Sequence, residues 1–380
     1  MAAPAPPSGA LLRWLLSYGA FAVPQAAGPI VFALLALPLT GDPGSGAAIV
    51  LAITVAQVIG AVPIARLGRR WNAVFYLRTL VAIRTLALAA LAGLAAARAP
   101  FSVLIAAGAL AGLVNGAAFG YLRSVLNYLV ETARLPRALG LAATIAETIF
   151  VAAPVAASML GTIDAVMALV VLSLFGALPA LLLPAIPHAE VKAPSDGRGS
   201  LVTPAILLWL GCTLANSAVV SSIEIGAVAL AMRYGFPPEM GFVFTVALCA
   251  ASVAGGVWVS VRNRMPSPLM VVGYLVLMST GAAMVASHLP VTLTIGGALM
   301  VGCCMSPLST YYSLRLDELS PPHRKAELFA LARTMNALGI IVTSTVLSVA
   351  SLAVTQAVAV ALIAGAALVA AAVFLVGARK

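Results

Sequence analysis

The sequence predicts an all-α membrane protein of twelve transmembrane helices in two pseudo-symmetric six-helix bundles. Three observations carry that expectation. Hydrophobic residues fill 62% of the 380 positions and charged residues only 8%, against about 25% charged in an ordinary soluble domain. The mean hydropathy is +1.10. Apolar stretches of about 20 residues, the length a helix needs to cross a bilayer, recur along the whole chain. So little charge cannot coat a water-exposed globule, which excludes a soluble enzyme, and the same composition excludes disorder. Only helices and closed barrels satisfy their backbone in lipid. These runs are too long for barrel strands, and their Ala, Leu and Gly content packs as helices.

The twelve spans are read at 11–39, 46–65, 72–97, 101–129, 138–160, 164–186, 204–232, 239–261, 267–287, 289–314, 327–349 and 352–376. Residues 1–10 are rich in Pro and Ala and lack the charged start and cleavage site of a signal peptide, so the first span is expected to be a retained helix. It holds Pro24, Pro29 and Pro38, which remove backbone hydrogen bonds and permit bending, and is expected to border a cavity. The second ends at the basic run Arg66, Arg69, Arg70, and the third carries Arg78 and Arg84. The fourth places Gly108, Gly112, Gly116 and Gly120 four apart, a groove for close helix contact. Between the ninth and tenth only His288 and Pro290 mark a break.

Orientation follows from the loops. With the N-terminus inside, the inner segments hold fifteen Lys and Arg and the outer loops only two, Arg98 and Arg233. The positive-inside rule then puts both termini in the cytoplasm. The net charge of +10 forms no run or stripe, so nucleic acid is not expected as a partner. Cys212, Cys249, Cys303 and Cys304 lie in apolar stretches without metal-ligand spacing and read as small apolar helix residues. No metal site, cofactor or enzyme constellation is expected: GxxxxGK[ST] and HExxH are missing, and His188, His288 and His323 sit at loops or helix ends.

The polar stretch 187–203 reads as a cytoplasmic linker dividing a six-helix bundle at 1–186 from a second at 204–380. The halves echo each other. The twelve-residue stretches 127–138 and 315–326 lie 188 apart, and Gly60 and Arg69 match Gly255 and Arg264 at a spacing of 195. Two parallel six-helix repeats meeting at a midplane site are a known transporter plan.

The run Ala65, Arg66, Leu67, Gly68, Arg69, Arg70 is similar to the Asp-Arg-x-Gly-Arg-Arg signature of the major facilitator superfamily, with Ala65 in place of the acid. In the fifth span, Glu147 to Pro154 resembles the Gly-Pro motif of that family's exporters, with Ala153 for Gly. Over essentially its whole length the chain resembles this family. The resemblance implies a secondary transporter working by alternating access, its halves rocking about a central site. The Arg that proton-coupled exporters of the family often carry four residues before a Gly in the fourth span is replaced here by Gly112.

Ionisable side chains inside lipid are costly and mark pathways or paired structure. Glu224 and Glu147 are the candidate proton-coupling groups. Ser217, Ser221 and Glu224 share one helical face, on a helix that lines the cavity in the resembled family. Arg123 and Glu147, on either side of a short loop, are close enough in sequence to form a gating pair or a structural one. Arg123, Arg333, Arg66, Arg69 and Arg70 are the gating candidates, Arg333 being also close to Glu327. The substrate-cavity candidates are Gln25, Gln57, Asn115, Asn216, Ser217, Ser221, Arg84 and Asn336. Each polar residue has a bland alternative, a hydrogen bond to a neighbouring helix.

The expected function is proton-coupled export, as an antiporter, of a small, partly apolar organic compound such as a drug or natural product. A polar solute, sugar or organic anion, is the alternative, the anion favoured by four membrane Arg against two Glu. A sensor or partner-binding membrane protein without transport is the alternative of another class. The expected setting is a bacterial inner membrane. The expected partners are the small-molecule substrate, protons and the lipid bilayer, and the expected state a monomer.

Overall fold

The computed structural model describes residues 9–40, 45–161, 163–183, 186, 203–236, 238–287, 290–321 and 324–377. His188, His288 and His323 lie outside the described set, as do Lys192, Arg198, Arg379 and Lys380 of the fifteen inner basic residues and all of the 187–203 linker but Thr203.

Among the described residues every long element is a helix: α1 Ala10–Thr40, α2 Ser45–Leu67, α3 Ala73–Ala96, α4 Phe101–Leu129, α5 Leu135–Gly161, α6 Ala165–Leu182, α7 Pro204–Glu224, α8 Ala227–Arg233, α9 Phe242–Arg262, α10 Pro268–Ala286, α11 Val291–Leu319, α12 Lys325–Val349 and α13 Leu352–Gly377. Among the described residues twelve helices are long and apolar enough to cross a membrane, as the sequence predicts. Polar residues set several starts. The Asn72 side chain accepts from the amides of Val74 and Phe75, Asp164 accepts from Met167, and Thr203 from Ile206.

Two boundaries differ by more than four residues from the sequence reading. The span expected over 204–232 is two helices, α7 and the short α8, parted at Ile225 and Gly226; Gly is a poor helix former and 21 residues already suffice to span. Conversely α11 runs on to Leu319 rather than stopping near 314, because Arg315 pairs with Glu318 one turn along at 2.8 Å and stabilises the last turns. The break at Pro290 falls where expected, between Ala286 and Val291.

The chain forms two compact units. Unit 1 comprises Met1–Thr132, Ile145–Gly199 and Ser320–Thr334; unit 2 comprises Ala133–Thr144, Ser200–Leu319 and Met335–Lys380. Each is mostly one half of the sequence plus a short piece of the other. The pieces lie at or just beyond the two twelve-residue stretches that match in sequence.

In unit 1 the core is apolar packing of α1, α3, α4 and α6, with Phe32, Leu91, Leu104 and Leu172 among its members. Helices α2 and α4 meet backbone to backbone. A Cβ on Gly60 would run into the Leu113 carbonyl, and one on Gly112 into the Ile53 carbonyl. The Gly groove of the fourth span is therefore the α2 seam, and Gly120 continues it against Ala326 and Ala330 of α12. Unit 2 repeats the device. Gly302 presses on the Leu248 carbonyl and Gly255, the sequence counterpart of Gly60, lies 2.8 Å from the Cys303 carbonyl as measured from a built Cβ. The internal repeat thus preserves a glycine-to-backbone seam between α2 and α4 and again between α9 and α11. Large side chains such as Leu269 and Val261 stand 82% and 79% exposed, the pattern of a lipid-facing surface.

Overpacking a close seam costs about 1–3 kcal/mol. Gly112→Val is expected to lower the thermal unfolding midpoint in detergent, whereas Gly93→Ala, facing open space, is expected to leave it unchanged or raise it. Equal midpoints for the two variants would contradict the seam.

Candidate functional site

Unit 1 collects its polar side chains in three places. The first is built on Arg84, 4% exposed in the middle of α3. Its Nη1 donates to Asn115 Oδ1 at 3.1 Å, its Nη2 to the Phe21 carbonyl at 2.9 Å, and its guanidinium lies 4.2 Å from the Phe21 ring centroid. Asn115 in turn donates to Gln57 Oε1 at 2.5 Å. Room for the guanidinium comes from Gly176 on α6, where a Cβ would stand 3.1 Å from Nη2. Gln57, Arg84 and Asn115, proposed separately from sequence, thus form one hydrogen-bonded chain across α2, α3 and α4.

The second place is built on Arg333 of α12. Its Nη2 donates to Gln25 Oε1 on α1, and its guanidinium lies 4.9 Å from the Phe119 ring. Its Nε is buried and has no acceptor among the described residues. Beside it, Arg123 donates to Asn127 at 3.1 Å and sits 4.4 Å from the Phe329 ring. Tyr18 of α1 stacks on Trp14 and leans on Phe119. Its hydroxyl is within electrostatic reach of Arg333, Arg123 and Glu147. Glu147 is 9% exposed on α5, so the two members of the expected gating pair border the same tyrosine.

The third place is an ion cluster at the end of α2. Glu327, 1% exposed at the start of α12, accepts from Arg66 Nε at 2.7 Å and Arg324 Nη2 at 2.9 Å, and also pairs with Arg69. Tyr121 and Tyr76 donate to the Ala65 and Ile64 carbonyls at 2.9 Å and 2.8 Å, which pins the turn that carries these arginines. Ala65 itself is buried. The acid missing from the signature run is replaced by one from α12. Arg333 does not join Glu327, as its nearness in sequence had suggested, because six residues along a helix turn it well round toward the opposite face. Arg70 is exposed and pairs with no acid among the described residues.

The remaining sequence candidates lie in unit 2. Ser217 donates to the Asn336 carbonyl at 2.7 Å, and Ser221 is buried. Asn216 is buried with its Oδ1 lacking a donor among the described residues. Glu224 ends α7 and is exposed, so the burial expected of a proton carrier is found at Glu147 instead. Unit 2 also gathers Trp209 against Tyr311, Tyr312 and Phe374, with ring centroids 5.2 to 6.0 Å apart, an aromatic cluster that a content of only 6% did not announce.

Sequence reasoning missed Tyr18, Phe21 and Phe119 as members of the site. The signal was available: Tyr18, Phe21 and Gln25 fall at i, i+3 and i+7, one helical face. Among the described residues no three His, Cys, Asp or Glu side chains gather to hold a metal ion.

Twelve membrane-length helices, two units with a repeated glycine seam and buried arginines in one of them define a membrane transporter. The sequence profile of the Major Facilitator Superfamily matches residues 14–344, and the chain belongs to that family, whose members transport solutes and are not enzymes. No curated protein matches the sequence. Among solved structures the chain is similar to a bacterial homologue of the iron transporter ferroportin in its outward-facing state, at 16% identity and TM-score 0.81, covering 98% of this chain and 100% of that one. It is also similar to the E. coli fucose:proton symporter (13% identity, TM-score 0.75, 95% and 98% covered). The human organic anion transporter MFSD10 is a third match (14% identity, TM-score 0.71, 95% and 97% covered). At such identities the likeness shows the fold.

Proposed function

We propose that the chain moves a small, partly apolar organic compound by alternating access, coupled to protons through Glu147, with both termini on the cytoplasmic side of a bacterial inner membrane. The observation that carries this is the amphipathic make-up of unit 1. Arg84 lies over the Phe21 ring and hydrogen-bonds the Asn115 amide, while Arg333 lies over Phe119, which Tyr18 touches, and hydrogen-bonds the Gln25 amide. Such a site binds a solute with an apolar body and a polar end.

Glu147 supports proton coupling because a buried carboxylate trades its charge with that of its surroundings. Tyr18 of α1 is within electrostatic reach of Glu147, and the same hydroxyl is within reach of Arg123 of α4 and Arg333 of α12. Outward transport is favoured by the exporter-like run Glu147 to Pro154, and orientation by the fifteen basic residues on one side against two. The Glu327 cluster, fed by Arg66, Arg69 and Arg324, serves as the gating latch of that side.

Proteoliposomes under an imposed pH gradient test the reading, with internal pH followed as candidate solutes are added. Glu147→Gln is expected to abolish solute-linked proton movement, and Glu224→Gln to retain it. Full coupling in Glu147→Gln would remove the proton assignment.

A further inference from the structure

The charge balance around the unit 1 site is unusual. Arg84 and Arg333 both lie within membrane-spanning helices, and among the described residues neither has a carboxylate within ion-pair distance. Every polar contact each one makes is neutral. Arg84 has the Asn115 amide oxygen and the Phe21 carbonyl. Arg333 has the Gln25 amide oxygen. Both lean on the faces of phenylalanines. Arg84 is also within electrostatic reach of Arg333. A charged side chain inside a membrane normally pairs with an opposite charge or with backbone carbonyls; Arg84 has one such carbonyl, from Phe21, and Arg333 has only a side-chain amide. Unit 1 supplies the opposite charge at its end, where the single Glu327 holds three arginines, and does not supply it here.

Arg333 presents the further sign. Its Nε is buried and has no acceptor among the described residues, while its Nη2 is held by a neutral amide. A carboxylate recognised by arginine takes two parallel hydrogen bonds, which the Nε and Nη edge of a guanidinium can supply. One of those donors is vacant in Arg333 and the other is engaged by a partner that an anion outcompetes, since charge-assisted hydrogen bonds are roughly twice as strong as neutral ones.

We infer that the transported solute is an organic carboxylate, its anionic group seated on the Nε and Nη edge of Arg333, with Arg84 as the second positive charge and the phenylalanine rings around its apolar part. The inference rests on the transporter reading above and narrows its substrate class. Gln25, which accepts from Arg333, yields to the solute. Arg84, fixed by Asn115, supplies field rather than a moving contact.

Matched acid and amide pairs test it: benzoate with benzamide, phenylacetate with phenylacetamide, octanoate with octanamide, and benzylammonium and phenyl phosphate as charge and geometry controls. Purified full-length protein is followed by thermal stabilisation, and proteoliposomes by flux of the same compounds. The acids are expected to stabilise the protein and their amides and benzylammonium to have no effect. Arg333→Gln should weaken acid binding at least tenfold. Arg333→Lys, which keeps the charge and loses the fork, should keep binding but weaken it by a smaller factor. Asn115→Asp places a carboxylate on Arg84, so it should leave the protein folded and cut acid binding selectively.

The inference is overturned if amides or benzylammonium stabilise as well as the acids, if phenyl phosphate alone does, if no acid of the set stabilises, or if folded Arg333→Gln and Arg333→Lys bind acids like the native protein. Flux separates it from the transporter reading. Acids that bind through Arg333 but never cross would leave the anion site standing and end the transport reading. Flux of a neutral or cationic compound would do the reverse.

Discussion

Glu327→Ala is expected to destabilise the protein by about 3 kcal/mol. Removing one member of a buried ion pair costs about 3–5 kcal/mol, because the partner charges remain without compensation. The lower end applies here, since Arg66 is 57% exposed and Arg69 33%, and water screens what they lose. Arg324, at 13% exposure, is left in the driest position. Burial, with Arg69 and Arg66 close by, already pushes Arg324 below the usual arginine range. Glu327→Gln keeps the shape and one accepting oxygen but turns a donor toward the other arginines, and should cost less than Glu327→Ala. Arg66→Gln should cost less than about 1 kcal/mol, as an exposed pair does. Denaturant or thermal unfolding in a mild detergent reads all three. If Glu327→Ala lies within about 0.5 kcal/mol of the native protein, the cluster is an incidental surface contact and the latch is wrong.

Asn115→Leu is the second large effect expected, at about 2–4 kcal/mol. Leu fills nearly the same space but removes both the acceptor of Arg84 Nη1 and the donor to Gln57 Oε1. Each buried group left unsatisfied costs about 1–3 kcal/mol, and more when charged. Asn115→Asp is expected to cost far less, since a carboxylate still accepts from Arg84 and the lost donor to Gln57 is offset by an ion pair. The ordering is the check. An Asn115→Leu variant as stable as Asn115→Asp would show that Arg84 has a route to water and that the hydrogen-bonded chain is unimportant.

These two sites differ in how far the sequence disclosed them. The helices were legible because their signal is long and redundant: each span repeats the same apolar message some twenty times, so a few misplaced residues do not matter. Where a boundary slipped, at Ile225 or at Arg315, the cause was local chemistry too small to outweigh that average. Gln57, Arg84 and Asn115 were each legible as polar residues in an apolar helix, but their union depends on which faces of α2, α3 and α4 meet, and that is set by Gly60 and Gly112. The glycine spacing pointed to a seam without saying what it faced. Glu327 was named only as a neighbour of Arg333; it stands in the first turn of its helix, where acids are common without a distant partner. Its partners Arg66 and Arg69 are about 260 positions away in sequence, as the interval of 261 to Arg66 shows. Glu224 was favoured on helical periodicity, which places residues on a face but does not report whether that face is buried at its last turn.

Counterflow in proteoliposomes tests the central claim most directly, because it needs the site and no gradient. Vesicles loaded with an excess of an unlabelled solute that stabilises the protein are diluted into labelled solute. The account predicts a transient overshoot of label for the native protein, an overshoot for Glu147→Gln as well, and none for Arg333→Gln. Label that only equilibrates at the rate of protein-free vesicles, or an overshoot undiminished in Arg333→Gln, would contradict it.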